Sequence, residues 1–184
     1  MPMLASAVDP RSPSFLDNRA AMLDRLAELD AALAIARAGG GAKYTDRHHA
    51  RGKLLARERV ELLVDRDAPF LELMPVAAYG SGGGADHDFP VGAGIVTGIG
   101  IVSGTPCMII ANDPTVRGGA VNPYTLKKTQ RAGDIALANR LPVVNLVESG
   151  GADLPTQAEI FIPGGRVFRD LTRSSAARIP TVAV

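Results

Sequence analysis

The run Val143-Val144-Asn145-Leu146-Val147-Glu148-Ser149-Gly150-Gly151-Ala152-Asp153 passes from a largely apolar stretch into two glycines and an alanine, then into a polar segment of helical character. This pattern predicts a strand that delivers backbone N–H groups to the start of a helix. Small residues there let another molecule come within hydrogen-bond distance of the main chain, and the positive end of the helix favours negative charge on that molecule. A site built from backbone donors is expected.

On the amino side of that run, Asn122 to Arg140 has a helical pattern, with Leu126, Ala132, Ile135, Ala136 and Ala138 as candidates for its buried side and Pro142 as its end. On the carboxyl side, a helix is expected between Leu154 and Ala177 and a strand from Ile179. Strand, helix, strand, helix, strand is the rhythm of crossover units around a parallel sheet, whose ligands bind in loops at the carboxyl ends of the strands. Two loops fall there: Asn112 to Asn122, and Ser149 to Gln157. The final strand reads as a parallel strand in mid-course, which makes a poor terminus, so the chain is expected to be cut short.

Further upstream, Gly92 to Gly104 alternates β-branched residues with glycines, and Thr105-Pro106-Cys107-Met108-Ile109-Ile110-Ala111 follows, so a hairpin turn is expected at Ser103-Gly104. Met22, Leu26, Leu29 and Leu33 mark an amphipathic helix from Ser14 to Ala38. Ser14 and Asp17 form its expected cap and Gly39-Gly40-Gly41 its stop; its apolar stripe should pack on the main body or on a neighbouring subunit. After a basic stretch, Lys43 to Lys53, a short helix is expected over Ala56 to Val64 with its charges facing solvent, then a strand over Phe70 to Leu73 and a loop over Gly80 to Gly84.

With 184 residues, 46% of them hydrophobic, the chain can bury one proper core. Its net charge of +1, without long like-charge blocks, argues against a nucleic-acid partner. The single cysteine, Cys107, excludes an internal disulfide and fits a reducing compartment, and no run approaches membrane-spanning length, so a cytoplasmic protein with no membrane partner is expected.

Several signals are weaker than they look. Gly92-Ala93-Gly94 and Gly98-Ile99-Gly100 lack the third glycine of a dinucleotide fingerprint and have no helix behind them; close strand packing is the better reading. His48-His49 and Asp86-His87-Asp88 lack companion ligands, so no bound metal is expected. Ser149 lacks the preceding glycine of a nucleophile elbow. Lys127-Lys128 could meet ligand phosphates or simply face solvent, and Asn112-Asp113 could equally be a side-chain-capped turn.

Taken together, Arg51-Gly52-Lys53-Leu54-Leu55-Ala56-Arg57-Glu58-Arg59, Gly94 to Gly100, Ala111 to Gly119 and Glu148-Ser149-Gly150-Gly151-Ala152-Asp153-Leu154-Pro155 resemble, in order and spacing, the carboxyltransferase (beta) subunit of biotin-dependent acyl-CoA carboxylases. Asp153-Leu154-Pro155-Thr156-Gln157 is more similar to the methylcrotonyl-CoA type than to the propionyl-CoA type. The chain departs from the methylcrotonyl pattern at Ala120 to Tyr124 and between Ile160 and Arg166, which leaves the acyl group open.

The resemblance implies an α/β, crotonase-like (ClpP/crotonase) spiral fold. Residues 1–43 would form a tail and helical segment, and residues 44–184 a partial N-terminal carboxyltransferase domain. It further implies an acyl-CoA substrate, carboxybiotin on a separate carrier subunit or domain, a biotin carboxylase/biotin carrier (alpha) subunit as partner, and a homo-oligomer. Gly150, Gly151 and Ala152 would line the acyl-CoA site, with Gly151 and Ala152 at the reacting centre and Ala152 the best candidate donor to an enolate oxygen. The second donor is expected beyond Val184. Gly118 and Gly119 would allow close contact with CoA, and Arg117, Lys127 and Lys128 would be its phosphate partners. The other readings are a non-catalytic fragment and a crotonase-like CoA hydratase or isomerase, which would need a glutamate acid–base pair after Val184.

Overall fold

The computed structural model describes residues 6–81 and 89–184. Its helices are α1 (Pro13–Ala38), α2 (Ala42–His49), α3 (Ala56–Leu63), α4 (Pro123–Ala138) and α5 (Gln157–Ala176). Its strands are β1 (Leu71–Glu72), β2 (Ile95–Val102), β3 (Thr105–Asn112), β4 (Val143–Leu146) and β5 (Thr181–Ala183). Asp86-His87-Asp88 and most of the Gly80 to Gly84 loop lie outside the described residues.

All five strands form one sheet in chain order. The β1–β2 and β2–β3 pairs are antiparallel, whereas β3, β4 and β5 run parallel. The hairpin turns at Ser103 (φ 50°) and Gly104 (φ 74°), as expected, and the Asp65 carboxylate accepts from both of their N–H groups at 2.7 Å. A crossover through α4 joins β3 to β4, and one through α5 joins β4 to β5.

Strand β3 is buried on both faces, which is why its sequence is continuously apolar rather than alternating. Ile109 and Ala111 pack with Ala56 and Val60 of α3, while Met108 and Ile110 pack with Ala132 and Ala136 of α4. Cys107 belongs to the first of these cores, and burial pushes its thiol pKa up. The glycines of β2 do serve close packing: a Cβ on Gly98 would lie 2.3 Å from Phe70 Cζ, and one on Gly100 would lie 2.7 Å from Val64 Cγ1.

Helix α4 starts where expected, because Asn122 Oδ1 accepts from the N–H groups of Tyr124 and Thr125 and Pro123 occupies the first turn. Leu126, Ala132 and Ala136 are buried, but Ala138 is exposed, since the helix's last turn runs out into the Asn139–Arg140 connection. Helix α1 differs more. Its cap is Ser12, whose Oγ accepts from Phe15 N at 3.3 Å, and Pro13 begins the helix one residue ahead of the expected Ser14. Met22, Leu26 and Leu29 are exposed and only Ala32 is buried, so most of the apolar stripe does not pack on the main body. The end of α1 does touch the body, where Gly40 N donates to Thr115 Oγ1 at 3.0 Å.

Candidate functional site

Because β3 and β4 are parallel neighbours with Ala111 opposite Leu146, the loops that leave their carboxyl ends lie side by side. In the first, Asp113 Oδ1 accepts from Thr115 N at 2.9 Å and from Thr115 Oγ1 at 2.5 Å. The chain then turns through three successive left-handed residues, Arg117 (φ 48°), Gly118 (φ 67°) and Gly119 (φ 69°). Glycine is required at the last of these: a Cβ on Gly119 would sit 2.2 Å from the carbonyl oxygen of Glu148.

Four hydrogen bonds stitch the loops together. Gly150 N donates to Gly118 O at 2.9 Å, and the Ser149 hydroxyl donates to Gly119 O at 2.7 Å. Val121 N donates to Gly151 O at 2.8 Å and Asp153 N to Val121 O at 2.9 Å, a short parallel bridge of Val121 with Ala152. The closeness that Gly119 permits is closeness between the two loops, whereas a Cβ on Gly118 would meet no atom within 4 Å.

The backbone donors of the glycine turn are unequal. The Gly150 N–H is taken by Gly118 O, and Gly151 N donates to Ser149 Oγ at 3.1 Å. The Ala152 N–H has no acceptor among the described residues, and Ala152 is exposed. Of the three expected positions, the one singled out as enolate donor is the one with its N–H to spare. The helix is a correction: α5 begins only at Gln157, after a 3₁₀ turn over Leu154–Thr156, so the turn is not the helix start that the sequence suggested. A helix dipole weakens beyond its first turn, and the N–H itself must supply most of any stabilisation at Ala152.

Facing these loops is a cleft of about 260 Å³. One wall is the basic stretch, with Tyr44, Arg47, His48, Arg51 and Lys53; Pro114, Thr115, Gly118, Glu148 and Ser149 form the other. Lys53 Nζ donates to Glu148 Oε1 at 2.7 Å, and His48 Nε2 lies 3.8 Å from Glu148 Oε2 and 3.2 Å from Leu54 O. The paired histidines diverge: His48 is buried, whereas His49 is exposed and 3.0 Å from both Glu58 oxygens. Sequence reading missed this wall. Its signal was the density of cations between Lys43 and Lys53, of which Arg47 lies on α2 and Arg51 and Lys53 on the connection that follows it.

The two lysines of α4 part company. Lys127 is exposed, with its amine 4.9 Å from the centre of the Tyr124 ring. Lys128 is neither a phosphate partner nor a surface charge, for only 3% of it is exposed and its Nζ donates to Gly92 O at 3.1 Å and Ile95 O at 2.7 Å. Gly92 O also accepts from Ile95 N at 3.4 Å, so the amine ties together the turn by which the chain enters β2, and an amine bound to both carbonyls is not free to meet a ligand. Arg117 is exposed on the turn before Gly118 and does not line the cleft. Among the described residues no three His, Cys, Asp or Glu side chains gather as a metal site, and no helix is long and apolar enough to cross a membrane.

Residues 47–184 match the carboxyl transferase domain. The chain is 63% identical over 182 residues to the probable biotin-dependent acyl-coenzyme A carboxylase beta2 subunit of Mycobacterium tuberculosis, covering 99% of this chain and 33% of that protein. It is 44% identical over 185 residues to the probable mitochondrial methylcrotonoyl-CoA carboxylase beta chain of Drosophila melanogaster, covering 99% of this chain and 32% of that one. Among solved structures, the beta subunit of Pseudomonas aeruginosa geranyl-CoA carboxylase superposes with a TM-score of 0.88 at 40% identity, over 99% of this chain and 34% of that subunit. The transcarboxylase 12S core gives a TM-score of 0.70 at 28% identity, over 81% and 29%. The chain thus spans about a third of the length of these relatives, and the fold is crotonase-like. On a match that covers the sheet, both loops and nearly all of the basic wall, this chain belongs to the carboxyl transferase domain family, with the beta subunits of biotin-dependent acyl-CoA carboxylases as its relatives.

Proposed function

We propose that this chain supplies the acyl-CoA-binding half of a carboxyltransferase site in a biotin-dependent acyl-CoA carboxylase. The observation that carries the reading is the unclaimed N–H of the exposed residue Ala152, in the loop after β4 whose Ser149 lines a basic cleft. Carboxylating the carbon next to a thioester, or its vinylogous position, requires a carbanion whose charge resides mainly on the thioester oxygen. A fixed N–H aimed at that oxygen binds the enolate more strongly than the neutral carbonyl, and so lowers the barrier.

The donor set fits a thioester: one backbone N–H, held by the Val121–Ala152 bridge and by the Ser149 hydroxyl, beside a cleft whose acidic lining residue among the described residues is Glu148, paired with Lys53. Carboxybiotin, when bound, supplies the carboxyl group and a nitrogen able to accept the substrate proton, so no side-chain base is demanded of this chain. Its own residues orient the thioester: Gly119 brings the loops together, and Ser149 braces the turn.

In this reading residues 1–43 form a separate segment ahead of a partial domain over 44–184. The partners are a biotin carboxylase/biotin carrier (alpha) subunit and further copies of the beta subunit, and the work is done in the cytoplasm, where the free thiol of Cys107 is stable. The acyl group lies among those of the relatives, with methylcrotonyl-CoA favoured over propionyl-CoA by Leu154-Pro155 after Asp153. The test is fixation of labelled bicarbonate by the complete beta subunit joined to its biotinylated carrier, with methylcrotonyl-, propionyl- and geranyl-CoA offered in turn. Acid-stable label in a CoA product supports the reading; none with any thioester defeats it.

A further inference from the structure

We infer that the Ser149 hydroxyl is a positioning group for the donor turn: it holds Gly151 in the conformation that presents the Ala152 N–H, and it keeps the Gly151 N–H from acting as a rival donor. This deepens the acyl-CoA reading and rests on it. The hydroxyl donates to Gly119 O on the facing loop at 2.7 Å, and the same oxygen accepts from Gly151 N of its own loop at 3.1 Å. One small group thereby spends its proton on one loop and a lone pair on the other, which fixes the order Gly151 N–H, Ser149 O–H, Gly119 O.

Packing does not restrain Gly151. Its φ is 96°, a left-handed value, and a Cβ there would meet no atom within 4 Å. Successive glycines at 150 and 151 let a peptide unit turn over at little steric cost. Hydrogen bonds hold the residue instead, its N–H on Ser149 Oγ and its C=O on Val121 N at 2.8 Å. In a trans peptide the N–H lies on the opposite side from the carbonyl of the same unit, so the bond to Gly151 O also sets where the Ala152 N–H points. Losing the Ser149 anchor would loosen that unit from one side and release Gly151 N as a second, differently directed donor. Ser149 is itself exposed, so removing its hydroxyl opens no cavity.

Single-turnover transfer of labelled carboxyl from the pre-carboxylated holoenzyme carrying this chain to an acyl-CoA separates the transfer rate from binding. The substrate is whichever of methylcrotonyl-, propionyl- or geranyl-CoA takes up label. Ser149→Ala should lower the saturating rate about tenfold and leave the half-saturating concentration within about twofold, because the lost bond aims a donor that matters in the transition state. Ser149→Thr, which keeps the hydroxyl, should recover most of the rate. In the Ala152→Pro background, where the aimed N–H is gone, Ser149→Ala should cost less than about twofold. A Ser149→Ala rate equal to wild type, a loss confined to half-saturation, no recovery in Ser149→Thr, or the full loss repeated beside Ala152→Pro overturns the positioning role while leaving the carboxyltransferase reading in place. A wild-type holoenzyme that labels none of these thioesters overturns that reading, and the positioning role with it.

Discussion

Lys128 combines a cationic side chain with near-complete burial, and its amine is bound by two backbone carbonyls at the start of β2. Burial pushes its pKa down to about 8 from 10.5, with the Glu72 carboxylate opposing the shift and the Arg57 guanidinium adding to it. The unfolded chain then holds more protons than the folded one between those two values, so this group's contribution to stability is flat below about pH 8 and rises as pH climbs towards 10.5. Lys128→Met should destabilise the fold by about 2 kcal/mol at neutral pH, since the Gly92 and Ile95 carbonyls each lose a charged donor. Denaturant titrations should show the gap to wild type widening across that alkaline window. At Ala152 the relevant group is the main chain. Ala152→Pro deletes the N–H, and kcat of the complete carboxylase should fall about 10²- to 10³-fold with KM little changed, whereas Ala152→Gly should keep most of the activity. The sequence could nominate Ala152 only through its family resemblance, and could not tell that Gly150 and Gly151 spend their donors within the protein, because their acceptors, Gly118 O and Ser149 Oγ, are set by loop geometry.

Among the elements, the hairpin and the crossovers were legible because their signals are local: Ser103-Gly104 for the turn, the Asn122-Pro123 cap for α4, and the unbroken apolar run of β3. The packing of β2 against what precedes it was legible only in outline. Its glycines signalled close approach, but Phe70 and Val64 as the groups that approach came from the fold. Gly98→Ala would force a methyl into the Phe70 ring and the Leu71 carbonyl, 2.7 Å from its ideal Cβ, so a loss of about 1–3 kcal/mol is expected on thermal or chemical unfolding. The helix pair shows the converse case. Arg166 of α5 reaches across to Asp134 of α4 and donates to Asp170 at 2.9 Å, a bridge between elements that no spacing in the sequence announces.

For the whole molecule, two helices keep large apolar surfaces exposed: α1 through Leu16, Met22, Leu26 and Leu29, and α5 through Phe161, Ile162 and Phe168. Since Leu26 and Leu29 touch little of the chain's own core, the double variant Leu26→Glu/Leu29→Glu should change the chain's unfolding free energy by no more than about 0.5 kcal/mol. A larger loss in denaturant titrations would mean that the stripe is buried against the body after all. The extent of α1 was readable from periodicity to within one residue, but not where its stripe points, because amphipathicity says that a face seeks cover without saying what covers it. By itself, then, the sequence determined the order and type of nearly all the elements, the glycine turn after β4 and, through motifs in a fixed order, the family. Those are properties of neighbouring residues and their short-range chemistry. Only the tertiary structure decided which turn N–H is left over, that Lys128 is an internal clamp, and that a basic stretch a hundred residues away faces the same turn across a cleft. Each depends on partners distant in the chain, and such pairings exist only once the sheet has brought its loops together.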